Sequence, residues 1–328
     1  MRTARFLAAR TAGMIAVLLL VSLAMFLVFY LVPADPARFE CGRICTPAEL
    51  SQVRAFMGLS EPVWRQYLDF LSAIFAGRSY GSGAGAIVCP APCLGYSFQQ
   101  NETVFSLITQ TVPVTASIAV GAAVLWLVTG TAAGVVSALR QGRALDRAVM
   151  AVAIMGISAP AYLVGLLAIL VFGFKLNILP DSGYVPLTQN PAQWAFHLVL
   201  PWCTLAFITA AMYARLTRGQ MIEALGENYV RTARAKGLSE RRVVGRHALR
   251  NVMIPIVSLF GYDLGTLLGG AVITEKVFGM YGLGALLIGA VGTTDLSVVA
   301  GVTILAAAFV IVANFVVDVV YKLLDPRV

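Results

Sequence analysis

Charge is scarce in this chain of 328 residues: 12% of its residues are Asp, Glu, Lys or Arg, and 59% are hydrophobic. Soluble domains carry about a quarter charged residues, so the composition excludes one and describes a polytopic membrane protein. Histidine is nearly missing. His197 opens an apolar run, His247 lies in a polar loop, and neither has a partner at ligand spacing, so both read as interface residues and no metal site is expected. No GxxxxGK[ST] phosphate-binding loop occurs, and the glycines sit in apolar runs instead. No Ser/His/Asp or Cys/His set falls within one readable element, which leaves no catalytic residue to nominate. The net charge of +8 gathers in loops without an aromatic-interleaved basic patch, so nucleic acid is not expected as a partner.

What is present is a series of apolar runs. Residues 11–32 carry no charge and follow Arg2, Arg5 and Arg10. At ~1.5 Å per residue they are long enough to cross about 30 Å of hydrocarbon, and too long for the apolar part of a cleaved signal. Residues 103–139 are also uncharged but too long for one crossing, so the second span is expected to start near Pro113, with the preceding part outside or along the interface. A third span over 148–174 should kink at Pro160. The fourth, fifth and sixth are expected over about 196–213, 252–274 and 296–320. Between the last two, EKVFGMYGLGALLIGAVGTTD reads as an outer segment dipping partly back, permissible only where protein or a water-filled cavity surrounds it. Lys and Arg alternate between loops (Arg2–Arg10, Arg140–Arg147, Arg215–Arg250, then Lys322 and Arg327), which predicts six helices with both termini cytoplasmic. The chain thus divides into an anchor (1–32), an external subdomain (33–102) and a core of five helices (103–328) with a polar loop at 215–250.

The external segment holds Cys41, Cys45, Cys89 and Cys93, as two CxxxC pairs. Outside the cytoplasm thiols oxidise, so disulfides are favoured over a metal or cluster site. Four cysteines allow three pairings. Cys41 with Cys45 and Cys89 with Cys93 is the leading one, because each closes a short loop and Pro90 and Pro92 bend the second. An amphipathic helix is expected around PVWRQYLDFLSAIFAG, capped by Ser60, ended by Gly77, with Val63, Tyr67, Phe70, Leu71 and Ile74 on one side. Cys203, in the fourth span, should be a free packed thiol.

The only long polar stretch between apolar runs is 223–255. With Arg215 and Arg218 just upstream it gathers nine Lys or Arg against Glu223, Glu227 and Glu240, and so belongs in the cytoplasm. A short helix is predicted from Glu227 to Lys236, stopped by Gly237 in the left-handed conformation, and a second one capped by Ser239. Tyr229, Ala233 and Lys236 fall at i, i+4 and i+7 and share a face suited to a protein partner. A basic loop that merely touches anionic lipid is the plainer alternative. In the fifth span Asp263 is the sole acid, a functional candidate by its cost in hydrocarbon or a structural hydrogen-bonding group. Gly265, Gly269 and Gly270 permit close helix approach, for packing or a substrate path. Asp318 should reach the interface or pair with a cytoplasmic cation.

The stretch YVRTARAKGLSERRVVGRHALRN resembles the cytoplasmic loop of the inner-membrane permease subunits of ATP-binding-cassette importers, in their dipeptide and oligopeptide branch. That loop carries the EAA motif and forms a coupling helix. With Gly237 as the motif glycine, Arg231 stands at the glutamate position and Thr232 and Ala233 at the first two alanines. The glutamate is absent, as is common in a branch that reads RTARAKG, and Arg250 stands where many relatives have proline. LVPADPA after the first span, VITEKVFGMYGLG and NFVVDVVYKLLDPRV resemble further signatures of the same permeases, so the likeness covers the chain apart from the cysteine insertions. It implies an all-α, six-helix permease of the type I importer fold in a bacterial inner membrane. The implied partners are a homologous second permease, two cytoplasmic ATPases that bind ATP and Mg, and an external substrate-binding protein docking on the subdomain. No cofactor is implied in this chain. ATPase coupling falls to Glu227, Tyr229, Arg231, Thr232, Ala233, Arg234, Lys236 and Gly237, and the translocation path to Asp263, Gly265, Gly269 and Gly270. Substrates of such permeases are peptides, or glutathione, haem and nickel complexes. A proton-coupled carrier using Asp263 as a relay and a non-transporting scaffold are the alternatives from other classes.

Overall fold

The computed structural model describes residues 2–28, 37–38, 46–80 and 86–324. Pro33, Asp35 and Pro36 of the LVPADPA stretch, and the Cys41–Cys45 pair, lie outside the described residues. The chain is mainly helical. Helix α1 (Arg2–Phe26) is followed by α2 (Pro47–Met57), α3 (Val63–Ala76) and two short antiparallel pairs, β1 (Arg78–Tyr80) with β2 (Ile87–Cys89) and β3 (Tyr96–Ser97) with β4 (Glu102–Thr103). Then come α4 (Val104–Leu139), α5 (Ala144–Ser158), α6 (Ala161–Lys175), α7 (Pro191–Gly226), α8 (Asn228–Ala235), α9 (Glu240–Leu268), α10 (Val272–Val277), α11 (Leu283–Thr293) and α12 (Leu296–Leu324).

Among the described residues, α1, α4, α7, α9 and α12 are each long and apolar enough to cross a membrane. The expected third span bends at Pro160 as predicted, but far more sharply than a kink. Its halves α5 and α6 meet at 105°, and count as a sixth crossing only when taken as one broken span. Pro160 is the cause: its ring disfavours helical backbone in the residue before it, and Ala159 is extended, at φ −80° and ψ 127°.

The reverse holds at Pro113, which does not begin a helix but lies inside α4. Thr103 caps that helix, its hydroxyl accepting from the Ser106 amide at 3.3 Å, and the Ser117 hydroxyl bonds the Pro113 carbonyl at 2.6 Å. Polar side chains and a packed neighbour make proline tolerable in an apolar helix. The neighbour is α7, which starts on a cap from Asn190, runs through Pro201 and ends at Gly226. Both helices have 36 residues, or ~54 Å, well beyond one crossing. They touch at backbone distance. A Cβ on Gly130 would meet Tyr213 Cβ at 2.7 Å, and one on Gly134 would meet Thr217 Cβ at 2.5 Å. Around this seam Trp126, Tyr213, Met221, Val230, Val243 and Ile256 form the main core.

Helix α12 packs on α9 and on α1, where Asp318 pairs with Arg10 at 2.7 Å. Helix α3 starts after Pro62, which supplies the fixed backbone angle for a helix entry, so Ser60 is not its cap. Tyr67 and Phe70 stack on Phe26 of α1, while Val63 is exposed. Beyond Gly77 a small core of Ala73, Tyr80, Cys89, Cys93 and Tyr96 is closed by the Cys89–Cys93 disulfide.

A basic loop and a cavity beside Asp263

The polar loop is two helices joined by a turn. Glu227 is the extended residue that starts α8, and after Lys236 the chain turns at Gly237, with φ +77°. A side chain at that angle is strained, which is why glycine ends the helix there. Ser239 then precedes α9 without lending its hydroxyl as a cap.

The face predicted for α8 needs correcting. Val230 and Ala233, at i and i+3, are buried in the chain's own core, so Ala233 does not share an outward face with Tyr229 and Lys236. The helix is amphipathic, and its apolar pair seats it between α7 and α9. What faces out is Glu227, Tyr229, Arg231, Thr232, Arg234, Lys236 and Gly237. Three of these have side-chain partners among the described residues. Arg234 forks onto Glu240 at 2.6 and 3.2 Å across the Gly237 turn, the Tyr229 hydroxyl accepts from Asn251 at 3.1 Å, and the Thr232 hydroxyl donates to the Asn228 carbonyl at 2.9 Å.

Behind α8, sequence reasoning missed a clasp. Asp146, 4% exposed at its side chain, takes both arms of Arg218 at 2.6 and 2.8 Å, the Gly142 amide at 2.8 Å and the Ser137 hydroxyl. A lone acid among Arg140, Arg143 and Arg147 was the available signal. The clasp fixes the α4–α5 turn to α7 nearly three helical turns before α8 begins at Asn228.

Asp263 lies on α9 and borders a cavity of about 570 Å³ with Trp126, Ile157, Leu205, Thr209 and Met212. The buried Tyr213 hydroxyl donates to its carboxylate at 2.8 Å. The glycines predicted with it separate. Gly265 and Gly269 belong to the α9–α12 contact, where added Cβ atoms would meet Val310 Cα and Ala306 Cβ at 2.8 Å, and only Gly270 also borders the cavity. Small residues there serve close packing first.

Two further acids were missed. Glu275, fully buried, accepts from the Thr115 hydroxyl at 2.7 Å and the Ala285 and Ala271 amides at 2.8 and 3.3 Å, and so pins α10 to α4 and α11. Asp295 caps α12 through the Val298 amide at 3.2 Å and takes the Ser97 hydroxyl from the segment before α4. An acid directly before an apolar run is a readable cap, whereas nothing in VITEKVFG marks Glu275 as buried. Cys203 is a free thiol as expected, but exposed instead of packed, because it lies on the open side of α7, in an apolar groove. Among the described residues His197 bonds only to the Gln193 carbonyl, at 2.9 Å, and no cluster of His, Cys, Asp and Glu could hold a metal.

Comparison with known proteins agrees with this architecture. Residues 130–328 match the family model described as binding-protein-dependent transport system inner membrane component, and residues 3–119 match the N-terminal model of such components. The chain is 36% identical over 320 residues to a putative peptide transport system permease protein of Brucella abortus (strain 2308), covering 97% of each. It is 36% identical over 344 residues to the di/tripeptide transport system permease protein DppB of Pseudomonas aeruginosa (strain UCBPP-PA14), covering 98% of each. A probable peptide ABC transporter permease protein of Sinorhizobium fredii (strain NBRC 101917 / NGR234) is 33% identical, with 97% of each covered. The chain belongs to the family of inner membrane components of binding-protein-dependent transport systems. It is a multi-pass membrane permease subunit.

Proposed function

We propose that this chain forms half of the translocation pathway of an ATP-driven peptide importer in a bacterial inner membrane, with both termini cytoplasmic. In this reading α8 docks into a cytoplasmic ATPase, a homologous permease supplies the other half of the path, and a substrate-binding protein delivers peptide to the outer side. ATP and Mg are held by the ATPases. Peptide as substrate rests on the full-length likeness to permeases named for peptides.

The observation that carries coupling is the seating of α8. Its basic side is exposed, while Val230 and Ala233 bury its other side in a core shared with α7 and α9. A push on the exposed side therefore moves two long helices and not a loose loop. Alternating access follows when ATP closes the ATPase pair and carries α8 with it, turning the cavity from one side of the membrane to the other.

The test is uptake of labelled dipeptide by the assembled importer carrying Gly237→Val. Valine at φ +77° costs about 1–2 kcal/mol of strain and re-aims the turn. Peptide uptake should fall at least severalfold while ATP hydrolysis persists, and wild-type uptake in the variant would sink the coupling assignment. Transport of haem or nickel complexes without peptide would replace the substrate.

A further inference from the structure

Resting on the reading as a peptide importer, we propose that Asp263 is an intramembrane receptor for the cationic amino terminus of the passing peptide. The acids of the bundle carry the argument. Glu275 has three donors, Asp146 has an arginine, a hydroxyl and an amide, Asp295 has a hydroxyl and an amide, and Asp318 has Arg10. Asp263 has one side-chain hydrogen bond, from Tyr213 to a single carboxylate oxygen, and no ion pair among the described residues. An ionised carboxylate accepts up to about four hydrogen bonds. Of these five, it is also the one that borders the cavity beside Trp126.

The chemistry of the cavity selects the ligand. At about 570 Å³ it falls within the range of roughly 300–1,000 Å³ typical of small-molecule sites. Its walls are mostly apolar, so a cation entering it sheds water and needs a counter-charge, which one carboxylate supplies. A divalent metal would need about six oxygen ligands, more than Asp263 and the neighbouring hydroxyls provide. A primary ammonium has three donors and so asks for only about half as many ligands. The α-ammonium is the one cation that every unblocked peptide carries near neutral pH, its ordinary pKa being about 7.7–8.0. Recognition of that group alone leaves the side chains unread, which suits a path for peptides of varied sequence. The Tyr213 hydroxyl occupies one carboxylate oxygen, leaving the other for the ligand.

The experiment uses the whole importer, with its partner subunits and one binding protein, in proteoliposomes. Uptake of a free dipeptide and of its N-acetylated form is measured for wild type, Asp263→Asn, Asp263→Glu and Tyr213→Phe. Because every variant meets the same binding protein, that protein's own preference cancels when the free-to-acetylated ratios are compared. The ratio should fall about tenfold or more in Asp263→Asn, the loss of a charged hydrogen-bond acceptor, and be largely kept in Asp263→Glu and Tyr213→Phe. An unchanged ratio in Asp263→Asn overturns the proposal, whether overall uptake survives or not. Equal loss in Asp263→Asn and Tyr213→Phe also overturns it, since it makes the pair a helix-to-helix strut. If Asp263→Asn fails to accumulate, the ratio in Asp263→Glu decides, a value at the acetyl-tolerant level counting against the proposal. Failure of wild type to move any peptide is a different result, and removes the importer reading itself.

Discussion

The bundle is closed by buried carboxylates at the end that carries α8 and at the end that carries the cysteine subdomain, but their partners differ. Near α8, Asp146 holds a guanidinium. At the other end of α4, Glu275 and Asp295 hold hydroxyls and the amides of Ala285 and Val298, which lie in the first turns of α11 and α12. The first end is crowded with arginines, so a buried acid there finds a cation. The second has few, and helix N-termini with their unpaired amides and positive dipole ends do the same task. Charge sorting across the chain thus reaches beyond topology and decides which kind of bond closes each end.

The largest expected effect comes from breaking the ion pair. Arg218→Met leaves the Asp146 carboxylate buried with only a hydroxyl and an amide, and should lower the melting temperature in detergent by several degrees. Asp146→Asn should cost less, because Arg218 is 26% exposed at its side chain and can reach water. An equal or larger loss in Asp146→Asn would break the comparison. A smaller effect is expected at the other end from Cys89→Ser combined with Cys93→Ser. The bridge closes a loop of sequence separation 4, worth roughly 2 kcal/mol in chain entropy. Limited proteolysis of 86–103 should accelerate while the melting of the bundle stays put. A drop in bundle melting would mean that the bridge supports more than its own small core.

The smallest effect is a pH dependence. Burial pushes the Asp295 carboxyl above its ordinary value, against the Ser97 hydroxyl and the Val298 amide, which pull it down. Folding then favours the protonated form, so this site's contribution is whole below the ordinary carboxylate range and is lost as pH rises through the raised value. Amide exchange of 96–103, corrected for its intrinsic pH dependence, should show weaker protection at about pH 8 than at about pH 5. In Asp295→Asn that difference should vanish. Its persistence would show that another group sets it.

The gross order of long helices was legible because apolar length and the alternation of arginines are strong, local signals. The helix end at Gly237 and the break at Pro160 were legible too, since each is a backbone constraint of one residue. At Pro113 the helix runs on unbroken because the cost of a proline is set by its surroundings, here α7 and the Ser117 hydroxyl, which the local sequence does not display. Ala233 misled for a related reason: spacing defines a face, but only the packing of Val230 tells which face is inward. Asp146, Glu275 and Asp295 lie 72, 160 and 198 residues from their partners Arg218, Thr115 and Ser97, respectively, beyond the reach of any local pattern.

The pair of 36-residue helices has a mechanical meaning. Locked together at Gly130 and Gly134, α4 and α7 form a doubled beam of ~54 Å, close to twice the ~30 Å thickness of hydrocarbon. Tilting such a beam by about 5° about one end shifts the other by roughly 5 Å, a full helical turn. Backbone-distance contact at the seam makes the two members move as a pair, and Pro113 and Pro201 mark where that beam would bend first.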